Sequence, residues 1–379
     1  MATMTRTSWY ARPRSAPRDT GAPPPVPSAA VAAFHRTLPG YAPTPLVELP
    51  SLAAELGVRR VFVKDESSRL GLPAFKMLGA SWGAFRALSE HYGLAEATLE
   101  GLRARVRGER PGVRLVTATE GNHGRAVAAM ARLLGARARI YVPSGVHPAA
   151  IAAIEDEGAQ VARVAGTYEE AVRCAAEAAS AADTLLIQDT SVPGQDQVPQ
   201  WIVDGYSTLF TEIDDELSAR GVEAPGLVAV PVGVGSLAQA AVTHYRSGRR
   251  AQSPALLTVE PDAAPCVLAS LTAGRLTTIG TSATIMSGLH CAAPSALAWP
   301  RLRDFVDAAV SVSDGETARA ARDLAALGVH AGPCGAASLA GVRAALASGR
   351  RRAALPPGHD RTVVLLATEG ADANPHPTS

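Results

Sequence analysis

The chain has 379 residues, a net charge of +1, 47% hydrophobic residues and few aromatics. That length suits two domains or one large α/β domain. The near-neutral charge gives no sign of nucleic-acid or anionic-membrane binding, and no apolar run approaches the ~20 residues a membrane helix needs.

Residues 1–30, "MATMTRTSWYARPRSAPRDTGAPPPVPSAA", are rich in proline and arginine and read as a disordered tail. They lack the apolar core of a signal peptide, so a cytoplasmic protein is the default expectation. "RRVFVKDES" then predicts a strand, and "PAFKMLGASWGAFRALSEHYG" a helix with Phe75, Leu78, Trp82, Phe85 and Leu88 on one face. "VRLVTATEGNHGRAVAAMARLLG" is strand, turn and helix. "ARIYVPSG", "HPAAIAAIEDEG" and "AQVARVAG" read as strand, helix and strand. "TYEEAVRCAAEAASAAD" is a helix opened by acidic residues, and "TLLIQDT" a strand. "VPQWIVDGYSTLFTEIDDEL" predicts one helix, "GLVAVPVGVG" a strand with a glycine turn, "SLAQAAVTHYRSG" a helix and "ALLTVEP" a strand. "VSVSDGETARAARDLAALG" is a strand and a helix with a capping box, Ser313 to Glu316. The helix "GAASLAGVRAALASG" and the strand "TVVLLATEG" close the pattern. Such alternation predicts a mainly parallel sheet covered on both faces.

Of the 36 basic Lys and Arg residues only Lys64 and Lys76 are lysine. A lysine that only carries charge can be replaced by arginine, but one that acts as an amine cannot, because guanidinium stays protonated. Lys76 sits among apolar and small residues in "GLPAFKMLGA", whereas Lys64 neighbours Asp65 and Glu66, where an ion pair is the simpler account. Four cysteines without CxxC spacing, and histidines without HExxH, give no expectation of a metal site. "TATEGNHGRAVA" ends a strand and opens a helix, presenting Asn122 and nearby backbone N–H groups to an anion, or else is a plain turn capped by Asn122 and His123. "VPVGVGSLAQA" offers a second anion cradle over Gly233, Val234, Gly235 and Ser236. With Glu260 at the end of the next strand it also keeps a dinucleotide-binding oxidoreductase in view. Asp189 and Thr368–Glu369 lie at predicted strand ends, where parallel sheets carry their sites.

"GLPAFKMLGAS", "TATEGNHGRAVA", "IQDTSVPG", "VPQWIVDGYSTL", "GVGSLA", "VEPD", "IMSGL" and "ATEG" follow one another in this order. Over residues 40–371 the set resembles the fold-type II pyridoxal phosphate enzymes, related in fold to the tryptophan synthase β subunit, and within them the 2,3-diaminopropionate ammonia-lyase branch. The resemblance implies two three-layer α/β/α domains with mainly parallel twisted sheets and pyridoxal 5'-phosphate in the cleft between them. The large domain would comprise 31–82 and 190–379, and the small one 83–189. It implies that Lys76 holds the cofactor as a Schiff base, with Pro73 in the first helical turn. Gly233, Val234, Gly235 and Ser236 would grip its phosphate, Asn122 its ring hydroxyl, and Thr368, a neutral partner, its ring nitrogen. The reaction implied is α,β-elimination of ammonia from a small amino acid, with Lys76 as base on one face and Glu120 or Asp189 as the carboxylate on the other. A homodimer is implied as well. Cys266 and Cys291 fall where lyase relatives can carry cysteine, so either a bridge or two reduced thiols is expected. Three departures bear on the substrate. Glu120 stands where the usual motif has aspartate, "GPCGA" (332–336) replaces G-E-S-G-A, and "SVPG" follows Asp189 where an aromatic and an acidic residue are usual. They leave room for another β-substituted amino acid, for β-replacement, or for a serine/threonine dehydratase.

Overall fold

The computed structural model describes residues 8–13, 28–109, 112–191, 194–222, 224–247 and 253–373. The strands among them are, in chain order, β1 (Trp9–Ala11), β2 (Leu46–Glu48), β3 (Arg60–Asp65), β4 (Arg114–Ala118), β5 (Arg137–Val142), β6 (Gln160–Arg163), β7 (Thr184–Leu186), β8 (Leu227–Pro231), β9 (Ala255–Pro261), β10 (Ala308–Val312) and β11 (Thr362–Ala367). Two compact units result. One comprises Met1–Val26, Thr44–Ser67 and Phe210–Gly370; the other comprises Pro27–Pro43, Ser68–Leu209 and Ala371–Ser379. Positions 83 and 189, read above as the ends of the small domain, both lie inside Ser68–Leu209, and 83 falls within the Lys76–His91 helix.

The first unit holds a seven-stranded sheet in the order β1-β10-β9-β8-β11-β3-β2. Its five inner strands run parallel, and the edge strands β1 and β2 are antiparallel. Strands β8, β9 and β11 are buried at every position, and their sequences are apolar apart from Thr258, Glu260 and Thr362. The Pro333–Leu346 helix packs on this core through small residues. A Cβ at Gly341 would lie 2.3 Å from Val259 Cγ2. The expected tail is interrupted here: Trp9–Ala11 pair with Ala308–Val310. The open edge of β10 offers backbone groups that those residues satisfy, and the Arg351 guanidinium lies 5.4 Å from the Trp9 ring. Most of the remaining tail lies outside the described residues.

The second unit holds a four-stranded parallel sheet in the order β6-β5-β4-β7. From β4 the chain proceeds outward to β5 and β6, then returns to place β7 on the other side of β4. The order therefore reverses between β4 and β7, and sites in open parallel sheets lie beyond the strand ends at such a reversal. The Lys76–His91 helix is buried at nearly every position up to Ser89, not on one face only. Its glycines make this possible: a Cβ at Gly79 would lie 2.5 Å from Tyr206 Cε1, and one at Gly83 2.7 Å from Ile202 Cγ1. The helix predicted over 198–217 is in fact two, Gln197–Gly205 and Ser207–Ala219. They part at Tyr206 directly after Gly205, where a Cβ would lie 2.5 Å from the Leu78 carbonyl oxygen.

Lys64 does not pair with its sequence neighbours. Its side chain is fully buried, and Nζ lies 2.9 Å from both Glu212 Oε2 and Glu216 Oε1 and donates to the Thr44 carbonyl. Asp65, next on the extended strand, points to the opposite face, and Glu66, past the strand end, accepts instead from Thr44 Oγ1. The two glutamates bind the edge-strand backbone in turn, Glu212 accepting from Thr44 N and Glu216 from Leu46 N. Lys64→Met would leave these carboxylates uncompensated, which costs about 3–5 kcal/mol for a buried pair. The expected result is a lower urea midpoint at unchanged m-value. A loss below about 1 kcal/mol would mean that water takes over the pairing.

Candidate active site

In the second unit the chain reaches the Lys76–His91 helix through a tight turn in which Arg69 and Leu72 exchange backbone hydrogen bonds. The helix starts at Lys76 itself, with Phe75 as its N-cap and no side-chain cap. Pro73 therefore precedes the helix and does not sit in its first turn. Lys76 does lie at the positive helix end, as expected. Its Nζ donates to Asp189 Oδ2 at 2.8 Å and lies 5.3 Å from the Phe75 ring and 6.0 Å from the Tyr206 ring. The Tyr206 ring packs flat against Gly79, one turn on from Lys76. Burial pushes the Tyr206 hydroxyl up to about 12.

Asp189 follows β7, and Glu120, Asn122 and His123 follow β4, so all four stand beyond the two strands that flank the reversal. Gln188 joins these strand ends past their last backbone pair. Its side-chain oxygen accepts from Ala118 N at 2.9 Å and Thr117 Oγ1 at 3.0 Å, and its Nε2 donates to Tyr168 Oη at 3.0 Å. Thr119 Oγ1 accepts from the N–H groups of Gly121 and Gly124, so this threonine caps the turn, not Asn122 or His123. The Asn122–Leu134 helix sits close on the sheet because residue 124 is glycine; a Cβ there would lie 2.2 Å from Thr119 Cγ2.

The two carboxyls differ sharply. Burial works to raise the Asp189 group, but His123 and Lys76 beside it outweigh this and hold it at about 2. Glu120 is half-buried, and loss of hydration, then the charges of Glu169 and Asp189, push it up to about 8. His123 is buried. Its Nε2 donates to the Ile187 carbonyl at 2.7 Å, and its Nδ1 lies 3.8 Å from the Asp189 oxygen that receives Lys76. Loss of hydration lowers the imidazole's proton affinity. Sequence reading treated this histidine only as a cap; its place beside Asn122 was the available clue.

In the first unit β8 leads into the glycine loop and then the Ser236–Arg246 helix. Gly235 is the N-cap at φ +104°, a left-handed conformation open to glycine, and no side chain caps this end. A Cβ at Gly235 would lie 2.7 Å from Leu302 Cδ1, and one at Gly233 would lie 3.0 Å from Cys291 Sγ. An uncapped helix start behind a loop with no room for side chains suits a phosphate group. Thr368 directly follows β11, the strand paired with β8, and is buried. The Pro333–Leu346 helix begins against it: a Cβ at Gly335 would lie 2.9 Å from Thr368 N. Pro333 occupies the first helical position, and the Glu369 carboxylate accepts from Cys334 N at 3.1 Å. The structure thus brings together Lys76, Asp189 and Glu120 in one unit, and the 233–236 loop and the Thr368 strand end in the other.

Two further expectations resolve. Cys266 and Cys291 are free thiols, both beside the glycine loop; Cys266 Sγ lies 3.6 Å from the Gly233 carbonyl. Glu260 is fully buried and accepts from Val267 N and Leu268 N at 2.7 Å each, which leaves no face for a nucleotide ribose. The dinucleotide reading fails on that residue.

The family model "Pyridoxal-phosphate dependent enzyme" matches residues 37–369. The chain is 37% identical over 294 residues to the diaminopropionate ammonia-lyase of Escherichia coli (strain K12), which covers 77% of this chain and 73% of that protein. The crystal structure of the Escherichia coli lyase in complex with D-serine superposes with a TM-score of 0.83 at 32% identity, over 91% of this chain and 89% of that one. The structure of the same lyase in complex with an aminoacrylate-PLP azomethine reaction intermediate gives 0.81 at 31% identity, over 97% and 96%. A lysine at the start of the Lys76–His91 helix suits an aldehyde, a glycine loop behind a strand end suits a phosphate, and the chain belongs to the pyridoxal-phosphate dependent enzyme family.

Proposed function

We propose that this protein removes ammonia from 2,3-diaminopropionate by α,β-elimination, yielding pyruvate and a second ammonia. The observation that carries the reading is Lys76 Nζ held 2.8 Å from Asp189, with the differently poised Glu120 at the neighbouring strand end. The likeness to the lyases supports it. Lys76 would bind the cofactor aldehyde, Gly233, Val234, Gly235 and Ser236 its phosphate, Asn122 its ring hydroxyl and Thr368 its ring nitrogen. Bound pyridoxal phosphate supplies an electron sink for the negative charge that develops at the substrate Cα. A neutral threonine at the ring nitrogen keeps that sink modest, which favours elimination over transamination.

Lys76, once a free amine, takes the Cα proton on its own face. Asp189 stabilises the ammonium that forms. Glu120 carries a proton at neutral pH and can give it to the departing β-amino nitrogen. As an anion the same group can take the Cα proton of the opposite enantiomer. Proton donor and acceptor thus differ by isomer, and both are built in. The finer reading extends to a cytoplasmic homodimer, supported by the resemblance; sedimentation as a single one-chain species would end the dimer reading.

Four outcomes are expected. Pyruvate and two equivalents of ammonia form from D- or L-2,3-diaminopropionate; cofactor binding without pyruvate from either isomer would move the reading to β-replacement. Lys76→Ala loses the visible absorption of the cofactor-loaded protein together with turnover, and an unchanged spectrum would remove Lys76 from the site. Glu120→Gln lowers kcat/KM for one enantiomer by about 100-fold or more, and removes a rise of that rate through pH about 8. Stability gives an independent check. A carboxyl raised from 4.5 to about 8 in the folded state favours folding fully below 4.5, and that contribution is lost as pH rises through 8. Wild-type stability should therefore fall relative to Glu120→Gln across that window. Parallel curves would mean that Glu120 ionises normally.

A further inference from the structure

The Lys76–Asp189 pair poses a chemical difficulty. An amine that must attack a carbonyl or take a proton has to be neutral, yet Asp189 at 2.8 Å favours the ammonium. The proton needs a nearby place to go, and the groups around the pair narrow the choice. Asp189 holds its charge firmly. The Tyr206 hydroxyl is too weak an acid to exchange at neutral pH. Glu120 already carries a proton.

His123 is different. Its ring is fixed through Nε2–H to the Ile187 carbonyl at 2.7 Å, so the neutral imidazole presents Nδ1 as a bare lone pair. That nitrogen is buried, has no hydrogen-bond partner, and lies 3.8 Å from Asp189 Oδ2, the same oxygen that receives Lys76. A lone pair aimed at a carboxylate is unfavourable; an N–H there is favourable. Closing the gap to hydrogen-bond length takes about 1 Å.

We propose that His123 is the proton store of the Lys76–Asp189 pair, taking up at Nδ1 the proton that leaves Lys76 Nζ. The N–H bond breaks at Lys76 and forms at His123. Lys76 passes from ammonium to amine, His123 from imidazole to imidazolium, and Asp189 is a carboxylate before and after. Net charge is unchanged, so the buried carboxylate is never left without a cation. Two cations around one carboxylate disfavour each other, which makes the exchange alternate: with Lys76 charged the ring is neutral, and with that charge gone Asp189 draws a proton to the ring.

Other charges near the ring do not replace this role. Arg125 and Arg132, on the same helix, are engaged by Glu157. Arg107 lies at the far end of that helix, against Gly135. Glu120 bears on Asp189, as does Lys76 from its own helix. His123 is a positioning and proton-holding residue here, since it acts through Asp189.

The proposal rests on Lys76 acting as an amine, and its test separates the two claims. The ring nitrogens of His123 are followed by 15N chemical shift in the full chain freed of cofactor, in wild type and in Lys76→Met, which leaves the histidine untouched. The expected result is a neutral Nε2–H ring in wild type at neutral pH. In Lys76→Met the ring should bind a proton at least ten times more tightly, and Lys76→Met/Asp189→Asn should reverse this. A ring that stays neutral from about pH 5 to 9 in all three proteins overturns the proposal. If Lys76→Met still takes up cofactor covalently, the reading of Lys76 fails, whatever the ring does.

A second measurement follows reaction of Lys76 with pyridoxal phosphate, trapped by borohydride and located by peptide mapping. His123→Gln keeps a donor at the Nε2 position for Ile187 but has no Nδ1. It should react about tenfold more slowly at neutral pH and recover at high pH. A purely structural anchor would give His123→Gln the wild-type pH profile, and that outcome also overturns the proposal.

Discussion

A carboxylate taken out of water needs a cation in contact, and the Asp189–Lys76 pair is the demand that the second unit is built to meet. The 2.8 Å contact survives only if both partners are held from behind. Asp189 is held because Gln188 stitches the end of β7 to the end of β4 with three hydrogen bonds, to Thr117 and to both backbone groups of Ala118, and adds a fourth to Tyr168. Lys76 is held because its helix is buried nearly all round, and Gly79 and Gly83 let Tyr206 and Ile202 approach within distances no Cβ would permit. Rigidity at these two atoms is thus a property of packing many residues away. It is what electrostatic pre-organisation requires.

The scarcity of lysine acquires a physical account on the same grounds. Both lysines occupy confined positions where a compact point charge on a thin stem fits. Lys64 is fully buried between a backbone carbonyl and two glutamates, and Lys76 stands against two aromatic rings. Guanidinium is wider, with five donors in a fixed plane, and would leave some of them unpaired in either place. Lysine at position 64 therefore reports on a buried ion pair, and lysine at position 76 on the contact with Asp189.

Most of the strand–helix alternation was legible because the inner strands β8, β9 and β11 are buried at every position and read as mostly apolar runs. So was the capping box Ser313–Glu316, which acts within four residues; the sequence marked only the acidic start of the other such helix, where Thr167 and Glu170 form a second box. What escaped notice depends on partners far away in sequence. Trp9–Ala11 is a strand only because β10 has an open edge 297 or more residues on, as the pairing of Ala11 with Ala308 shows. The break at Tyr206 falls directly after Gly205, whose missing side chain makes room for the Leu78 carbonyl. The partners of Lys64 lie about 150 residues further on, while local reading offered Asp65 and Glu66. The motifs singled out Lys76, Glu120, Asn122 and Asp189 but gave no hint that His123 lies 3.8 Å from Asp189, because that nearness follows from the closeness of β4 to β7.

The same closeness sets the two carboxyls apart in their hold on a proton. Glu120 and Asp189 follow neighbouring strands and sense each other's charge, so both cannot be anions at equal ease. Asp189 has Lys76 and His123 beside it and stays ionised at about 2. For Glu120, loss of hydration and then the charges of Glu169 and Asp189 raise the carboxyl, which holds its proton to about 8. Environment, not residue type, separates the roles. An aspartate at position 120 would place the carboxyl one methylene nearer the backbone, roughly 1.5 Å, a displacement on which rates commonly depend by about 100-fold. The longer side chain therefore sets reach, while the proton it carries is set by its neighbours. Changes at position 120 should then act on isomer and substrate geometry before they act on the chemistry available.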